Sequence, residues 1–282
     1  MQLSLFSEIV KHYKVVFFDS YGVLRNYHGL IPGAVDCVDR LRRSGKQLRV
    51  LTNNAARSPQ MASERLAYYG LHGISPDEII TSGSTTRQFL QQKIKSGQVA
   101  YLGTEKSAAY IISAGLEAIP VSEVDMNNLE ELKAVAFLDD EGYDLNTDIT
   151  KVINLLRYTR IPVVVANTDL LYPVAKNDVA IATGSIARLA EYVLGRRFVK
   201  FGKPAMQMFQ LAFNAVQKED PTITHADVLM VGDTLHTDIL GGNTFGVDTV
   251  LVLSGNTRAS NAETEIRASG IIPDFVCRSI GR

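Results

Sequence analysis

The chain has 282 residues, 46% of them hydrophobic, and a formal net charge of −1. That length suffices for one large domain or two of ordinary size around a sizeable core, which excludes a disordered chain. With only short basic clusters such as Arg40 to Arg43, the near-zero charge gives no electrostatic footprint for nucleic acid or an anionic membrane, so neither is expected as a partner.

The two cysteines, Cys37 and Cys277, form no C-x-x-C pair and read as core thiols, not as a disulfide framework or a thiolate metal site. Met1 to His12 carries Glu8 within an amphipathic pattern and lacks the apolar stretch of a signal peptide. No apolar run approaches the roughly 20 residues of a membrane span. A soluble cytoplasmic protein is the resulting expectation.

The first strong element is Val15-Val16-Phe17-Phe18-Asp19, an apolar, β-prone run that ends in a carboxylate ahead of Ser20-Tyr21-Gly22. It reads as a buried strand presenting Asp19 at its carboxyl end, the edge where open parallel sheets bind ligands. After Gly29-Leu30-Ile31-Pro32-Gly33, the spacing of Val35, Val38 and Leu41 predicts a helix over Ala34 to Arg43, with Gly45 as its C-terminal cap. A strand from Gln47 to Leu51 then stops at Thr52-Asn53-Asn54, and Ser58-Pro59 opens a helix ending near Gly70. Ile79 to Gly83 gives a third strand and Ser84 to Lys95 a helix. This β-α-β-α-β alternation argues a parallel sheet with right-handed crossovers.

The same grammar restarts near Gly97. It predicts strands at Val99 to Leu102, Ala134 to Leu138, Pro162 to Ala166 and Val179 to Ala182. Helices are expected at Glu105 to Ala114, Thr147 to Tyr158 and Ser185 to Leu194. The middle third therefore reads as a second α/β domain, residues 86–197, inserted into a first domain of residues 1–85 and 198–282. The first domain resumes around Lys200 to Pro204 with a helix over Ala205 to Gln217, where Met206, Phe209, Leu211 and Phe213 are read as core. The strand Val228 to Val231 then runs into Gly232-Asp233-Thr234-Leu235-His236-Thr237-Asp238, and Asp248 to Leu253 and Phe275-Val276 supply further strands.

Four polar clusters thus follow apolar strands or occupy a loop: Asp19 with Tyr21, Thr52-Asn53, Lys203, and Asp233 with Asp238. In a doubly wound sheet they converge although distant in sequence. A carboxylate can attack phosphorus, hydroxyl and amide donors can hold phosphate oxygens, and a lysine can offset their charge. Acidic groups can bind Mg²⁺, a hard cation that prefers oxygen.

In this order the clusters resemble the four motifs of the haloacid dehalogenase superfamily. The insertion between Thr52-Asn53-Asn54 and Gly202-Lys203-Pro204 is similar to the class II α/β cap of the branch containing p-nitrophenyl, phosphoglycolate and pyridoxal phosphate phosphatases. Ala166-Asn167-Thr168-Asp169 and Thr183-Gly184-Ser185-Ile186 resemble that branch as well. The resemblance implies a Rossmann-like core with a cap, and a Mg²⁺-dependent phosphatase of a small phosphorylated metabolite such as a sugar phosphate. Asp19 would be the nucleophile; Thr52, Asn53 and Asn54 would meet the substrate; Lys203 would bridge nucleophile and phosphate. Asp19, the carbonyl of Tyr21 and Asp233 would hold the metal, with Asp238 behind them or linked to it through water, and Asp169 and Tyr172 fall where the branch places its cap specificity loop. Related enzymes dimerise cap to cap, so a homodimer is compatible.

Tyr21 stands where these phosphatases carry a second Asp that protonates the leaving group and then activates water. Its carbonyl is unaffected, but a tyrosine of ordinary pKa near 10 is a proton donor and a poor base at neutrality. Turnover is then slow or uses another group, His28 and His236 being candidates. Two alternatives follow: a phosphometabolite-binding protein with weak or absent catalysis, and a dehalogenase, because Asp-x-Tyr-Gly also resembles the first motif of 2-haloacid dehalogenases. The carboxylates of Asp233 and Asp238 argue against the latter.

Overall fold

A computed structural model describes residues 2–175 and 178–281. A short helix α1 (Phe6–Ile9) precedes β1 (Val15–Asp19), and the short strands β2 (Arg25–Asn26) and β3 (Gly29–Leu30) pair as a hairpin. Then follow α2 (Ala34–Arg43), β4 (Gln47–Thr52), α3 (Pro59–Tyr68) and β5 (Ile79–Thr81). The middle of the chain forms α4 (Ser82–Lys93), β6 (Gln98–Leu102), α5 (Glu105–Ile112), β7 (Glu117–Pro120), β8 (Leu132–Phe137) and α6 (Thr147–Tyr158). It continues with β9 (Val163–Val165), β10 (Leu171–Pro173), β11 (Val179–Ile181), α7 (Thr183–Leu194) and β12 (Val199–Lys200). The last part holds α8 (Met206–Glu219), β13 (Val228–Gly232), a π-helical turn (Leu235–Ile239) leading into α9 (Leu240–Phe245), β14 (Asp248–Val252), α10 (Ala262–Ser269) and β15 (Phe275–Cys277).

The chain divides into two compact units. The first comprises the chain through Thr52, Pro59–Ile80 and the chain from Lys203 onward; the second is Asn53–Ser58 with Thr81–Gly202.

In the first unit a six-stranded sheet has the order β15-β14-β13-β1-β4-β5, and β1 pairs in parallel with both β4 and β13. Val16 and Phe18 enter one hydrophobic core and Val15 and Phe17 the other, so both faces of β1 are covered. That is why the strand reads as an unbroken apolar run. On one face α2 buries Ala34, Cys37, Val38 and Leu41; on the other α8 buries Met208, Phe209, Ala212, Phe213 and Val216. Met206, expected in the core, is exposed at the first position of α8, and Met208 takes the buried place. Both cysteines are buried thiols. From β1 the chain steps outward to β4 and β5 and returns to β13 on the opposite side of β1. The connections leaving β1 and β13 therefore diverge, which opens a crevice at their carboxyl ends.

The second unit has a parallel five-stranded sheet, β12-β9-β8-β6-β7, and an antiparallel pair, β10-β11. The sequence boundary lies at 198, whereas β12 pairs with β9 and Phe201 packs in this unit's core, 5.2 Å from the ring of Phe89. Strand β5 is shorter and α4 begins earlier than expected because the Thr81 hydroxyl caps the helix, accepting from the Ser84 N–H at 3.0 Å. Among the described residues no helix is long and apolar enough to cross a membrane.

Candidate active site

Asp19 ends β1, where the backbone turns sharply: the N–H groups of Leu24 and Arg25 donate to the Ser20 carbonyl at 3.0 and 3.1 Å, and Gly22 N–H donates to the Arg25 carbonyl at 2.7 Å. Gly22 has φ +84°, and a Cβ there would stand 2.0 Å from Asp233 Oδ2, so only glycine serves the turn and the neighbour together.

Asp233 follows β13 and is fixed through both carboxylate oxygens. Oδ1 accepts from the Thr234 hydroxyl at 2.9 Å and Oδ2 from the Asn256 N–H at 2.6 Å. Gly255 permits this approach, since a Cβ on it would lie 1.9 Å from Oδ2. The π-helical turn then brings Asp238 back over the strand end. A Cβ on Gly232 would meet the Asp238 Cβ at 2.0 Å, and Asp238 Oδ2 accepts from the Thr234 N–H at 3.1 Å. Single π turns of this kind re-aim side chains at functional sites.

Lys203, at the return of the chain to the first unit, places Nζ 2.5 Å from Asp19 Oδ1 and 2.7 Å from Asp238 Oδ1. Carboxylate oxygens of Asp19, Asp233 and Asp238 all lie within 4.8 Å of one another, and all three residues are buried. Burial alone would favour a neutral amine at Lys203, but the charges of Asp19 and Asp238 outweigh it and hold the ammonium protonated. Asp233 is pushed in the opposite sense, well above the usual carboxylate range, first by burial and then by the charges of Asp19 and Asp238. Three buried carboxylates thus share one ammonium, and the excess negative charge sits on hard oxygen donors. This donor set fits Mg²⁺, which binds through a few carboxylates while keeping positions for water and phosphate oxygen.

Tyr21 is half-buried, with the Arg25 guanidinium 5.2 Å from its ring centroid. Burial raises the pKa of its hydroxyl, with Arg25 and the Tyr27 backbone N–H opposing the rise. The phenol therefore carries its proton at neutral pH.

Thr52 is the last residue of β4, one position beyond Leu51, which pairs with Asp19. Asn53 and Asn54 belong to the second unit. The Asn53 amide donates to Asp169 Oδ1 at 2.8 Å and to Thr168 Oγ1 at 3.3 Å, and its carbonyl accepts from the Ser82 hydroxyl at 2.8 Å. The Asn54 side-chain oxygen accepts from the Ala56 N–H at 3.0 Å, an Asx turn that shapes the loop. The Tyr172 hydroxyl donates to Asp140 at 2.9 Å. The structure thus gathers Asp19, Lys203, Asp233 and Asp238 in one unit, and Asn53 with Asp169 in the other.

Sequence reasoning missed the supports of Asp233. Ser254-Gly255-Asn256-Thr257 is a small polar stretch just past a buried strand, the signal already used at Thr52-Asn53-Asn54. It also missed Asp139 and Asp140 at the carboxyl end of β8. Burial lifts the Asp139 carboxyl to about 6, and Thr104 donates to it at 3.2 Å.

Known proteins resemble the chain over nearly its whole length. Residues 16–117 match the family described as Haloacid dehalogenase-like hydrolase, and residues 200–281 the one described as HAD-hydrolase-like. Chronophin of Mus musculus is 30% identical over 275 residues, covering 94% of this chain and 90% of its own. A structure from Cytophaga hutchinsonii, described as a possible sugar phosphatase, superposes with a TM-score of 0.96 at 47% identity, covering 100% of this chain and 99% of its own. The p-nitrophenyl phosphatase of Archaeoglobus fulgidus gives 0.80 at 27% identity, with 95% and 97% covered.

Proposed function

The chain belongs to the haloacid dehalogenase-like hydrolases and is an enzyme of their phosphatase branch, and on that premise we propose that it hydrolyses a small phosphorylated metabolite, a sugar phosphate foremost, with Mg²⁺ and through an aspartyl-phosphate on Asp19. The observation that carries this reading is the Asp19 carboxylate set against the Lys203 ammonium and beside Asp233 and Asp238, at the crevice where the sheet's connections diverge. The resemblance makes the first unit the catalytic core and the second the inserted cap, with Tyr172 and its partner Asp140 as contacts for the alcohol part of the substrate.

Asp19, Asp233, Asp238 and the carbonyl of Tyr21 would hold the metal, which when bound offsets the charge of the carboxylates and of the phosphate oxygens. Lys203 orients the Asp19 carboxylate and offsets phosphate charge, while Thr52 and Asn53 donate to phosphate oxygens. An Asp19 oxygen bonds to phosphorus as the bond to the leaving oxygen breaks. That oxygen takes the phenolic proton of Tyr21, which burial keeps in place until then. The phenolate so formed accepts a proton from the water that attacks the aspartyl-phosphate, releasing inorganic phosphate and restoring both side chains.

The test is phosphate release from a panel of metabolite phosphates with and without Mg²⁺, alongside chloride release from 2-chloropropionate. Mg²⁺-dependent phosphate release supports the reading. Chloride release without metal would replace it with dehalogenation, and phosphate binding without release would replace it with a binding protein lacking turnover.

A further inference from the structure

The loop after β4 joins the two units: Thr52 belongs to the first, and Asn53–Ser58 to the second. Inside the second unit this loop is held at several points. The Asn53 amide donates to Asp169 and Thr168, the Asn53 carbonyl accepts from Ser82, and the Arg57 carbonyl accepts from the Tyr110 hydroxyl at 2.6 Å. Gly202 completes the seat, since a Cβ there would lie 2.7 Å from Asn53 Oδ1.

Asp169 is itself fixed on three sides. Its N–H donates to Asn167 Oδ1 at 2.9 Å, its carbonyl accepts from the Gly184 N–H at 3.0 Å, and its carboxylate receives the Asn53 amide. Gly184 allows this closeness: a Cβ on it would stand 2.4 Å from the Thr168 carbonyl oxygen and 2.6 Å from that of Asp169. A side chain tied down in this way suits orienting a neighbour better than adapting to a variable substrate.

We propose that Asp169 is the positioning residue for Asn53, so that the second unit sets the orientation of the amide that receives the substrate's phosphate. The inference rests on the phosphatase reading, and in particular on Asn53 as a phosphate donor. The charge-assisted hydrogen bond to Asp169, with the longer one to Thr168 Oγ1 at 3.3 Å, fixes the amide's rotation, and the hydrogen on Thr168 is the one a phosphate oxygen would take over, in one orientation instead of an average over rotamers. It also gives Asp169, expected in the specificity loop, a different role: it acts on every phosphate monoester alike through Asn53.

The experiment is a double-mutant cycle on the full-length protein with Asp169→Ala and Asn53→Ala. It reads KM and kcat for p-nitrophenyl phosphate with Mg²⁺ and, by calorimetry, the affinity for inorganic phosphate. Asp169→Ala is expected to raise KM and weaken phosphate binding by about ten-fold, with a smaller change in kcat, and to cost nothing further once Asn53 is Ala. Asp169→Asn, which keeps an acceptor oxygen, restores most of the loss and serves if the alanine variant folds poorly. Equal losses from Asp169→Ala with and without Asn53, or a raised KM with unchanged affinity for inorganic phosphate, would overturn the inference and leave the phosphatase reading standing. A wild type that neither hydrolyses monoesters nor binds phosphate would overturn both.

Discussion

Asp19 and Lys203 lie 184 residues apart in the chain, yet the lysine ammonium donates to Asp19 Oδ1 at 2.5 Å inside the buried end of the first sheet. The pairing follows from topology: β1 lies at the middle of the sheet, and Lys203 stands where the chain returns to the first unit. A buried ion pair of this kind leaves an uncompensated charge when one partner is removed. Orienting the proposed nucleophile and stabilising the fold are therefore linked at Lys203.

The glycines around Asp233 provide a steric test. A methyl group on Gly255 would fall 1.9 Å from Asp233 Oδ2. Gly255→Ala is therefore expected to displace the carboxylate, weakening Mg²⁺ binding measured by calorimetry and lowering stability by about 1–3 kcal/mol, as overpacking does. Unchanged Mg²⁺ affinity would show that Asp233 need not sit where the structure has it.

The metal assignment has its own test. Asp233→Ala removes one of three mutually close carboxylates and should abolish or greatly weaken Mg²⁺ binding in calorimetry. It should also relieve the like-charge repulsion on its neighbours. Equal affinity in the variant and the wild type would rule out the site.

Acid sensitivity is expected away from the site. Asp227 accepts from the Thr224 N–H and hydroxyl and faces Lys14, and the Thr224 backbone N–H above all brings its carboxyl down from 3.8 to about 2. A depressed carboxyl contributes stability above its unfolded pKa and loses it as pH falls through the folded value. Asp227→Ala should cost about 0.5–2 kcal/mol at neutral pH, as lost caps do. In urea melts that difference should shrink between about pH 4 and pH 2. A difference that stays constant down to pH 2 would contradict the charge-based account.

In the proposed mechanism Tyr21 sets the balance between the two chemical steps. A p-nitrophenolate leaving group needs no proton, so the Tyr21 phenol keeps its own and supplies no base for the second step. Rapid-quench kinetics should therefore show a burst or a trapped phosphoenzyme. Tyr21→Asp should raise steady-state turnover by about ten-fold or more, within the range of acid–base contributions. No burst and no gain would mean that another residue serves as base.

Much of the fold is legible in the sequence. The apolar runs ending at Asp19 and Asp233 read correctly as buried strands because both faces of those strands are covered, and the lysine and second carboxylate stood at recognisable places in the chain. Strands β2, β3, β7, β10 and β12 and helix α10 were not read. Most are two to four residues long, below the length at which periodicity carries a signal, and β7 ends in Pro120 at a sheet edge. The partnership of Asn53 with Asp169 was also out of reach, because it depends on a loop closing across 116 residues. The supports at Gly255 and Asn256 were within reach of the rule already applied to Thr52-Asn53-Asn54.

The most direct measurement compares phosphate release by the wild type and by Asp19→Asn, both purified and folded by circular dichroism, with p-nitrophenyl phosphate and Mg²⁺. The substitution removes the proposed nucleophile and a proposed metal ligand with little change in volume. Loss of all release above background, together with a phosphoryl group mapped to Asp19 in acid-quenched wild type, is the expected result. Release at the wild-type rate by Asp19→Asn would contradict covalent catalysis at Asp19.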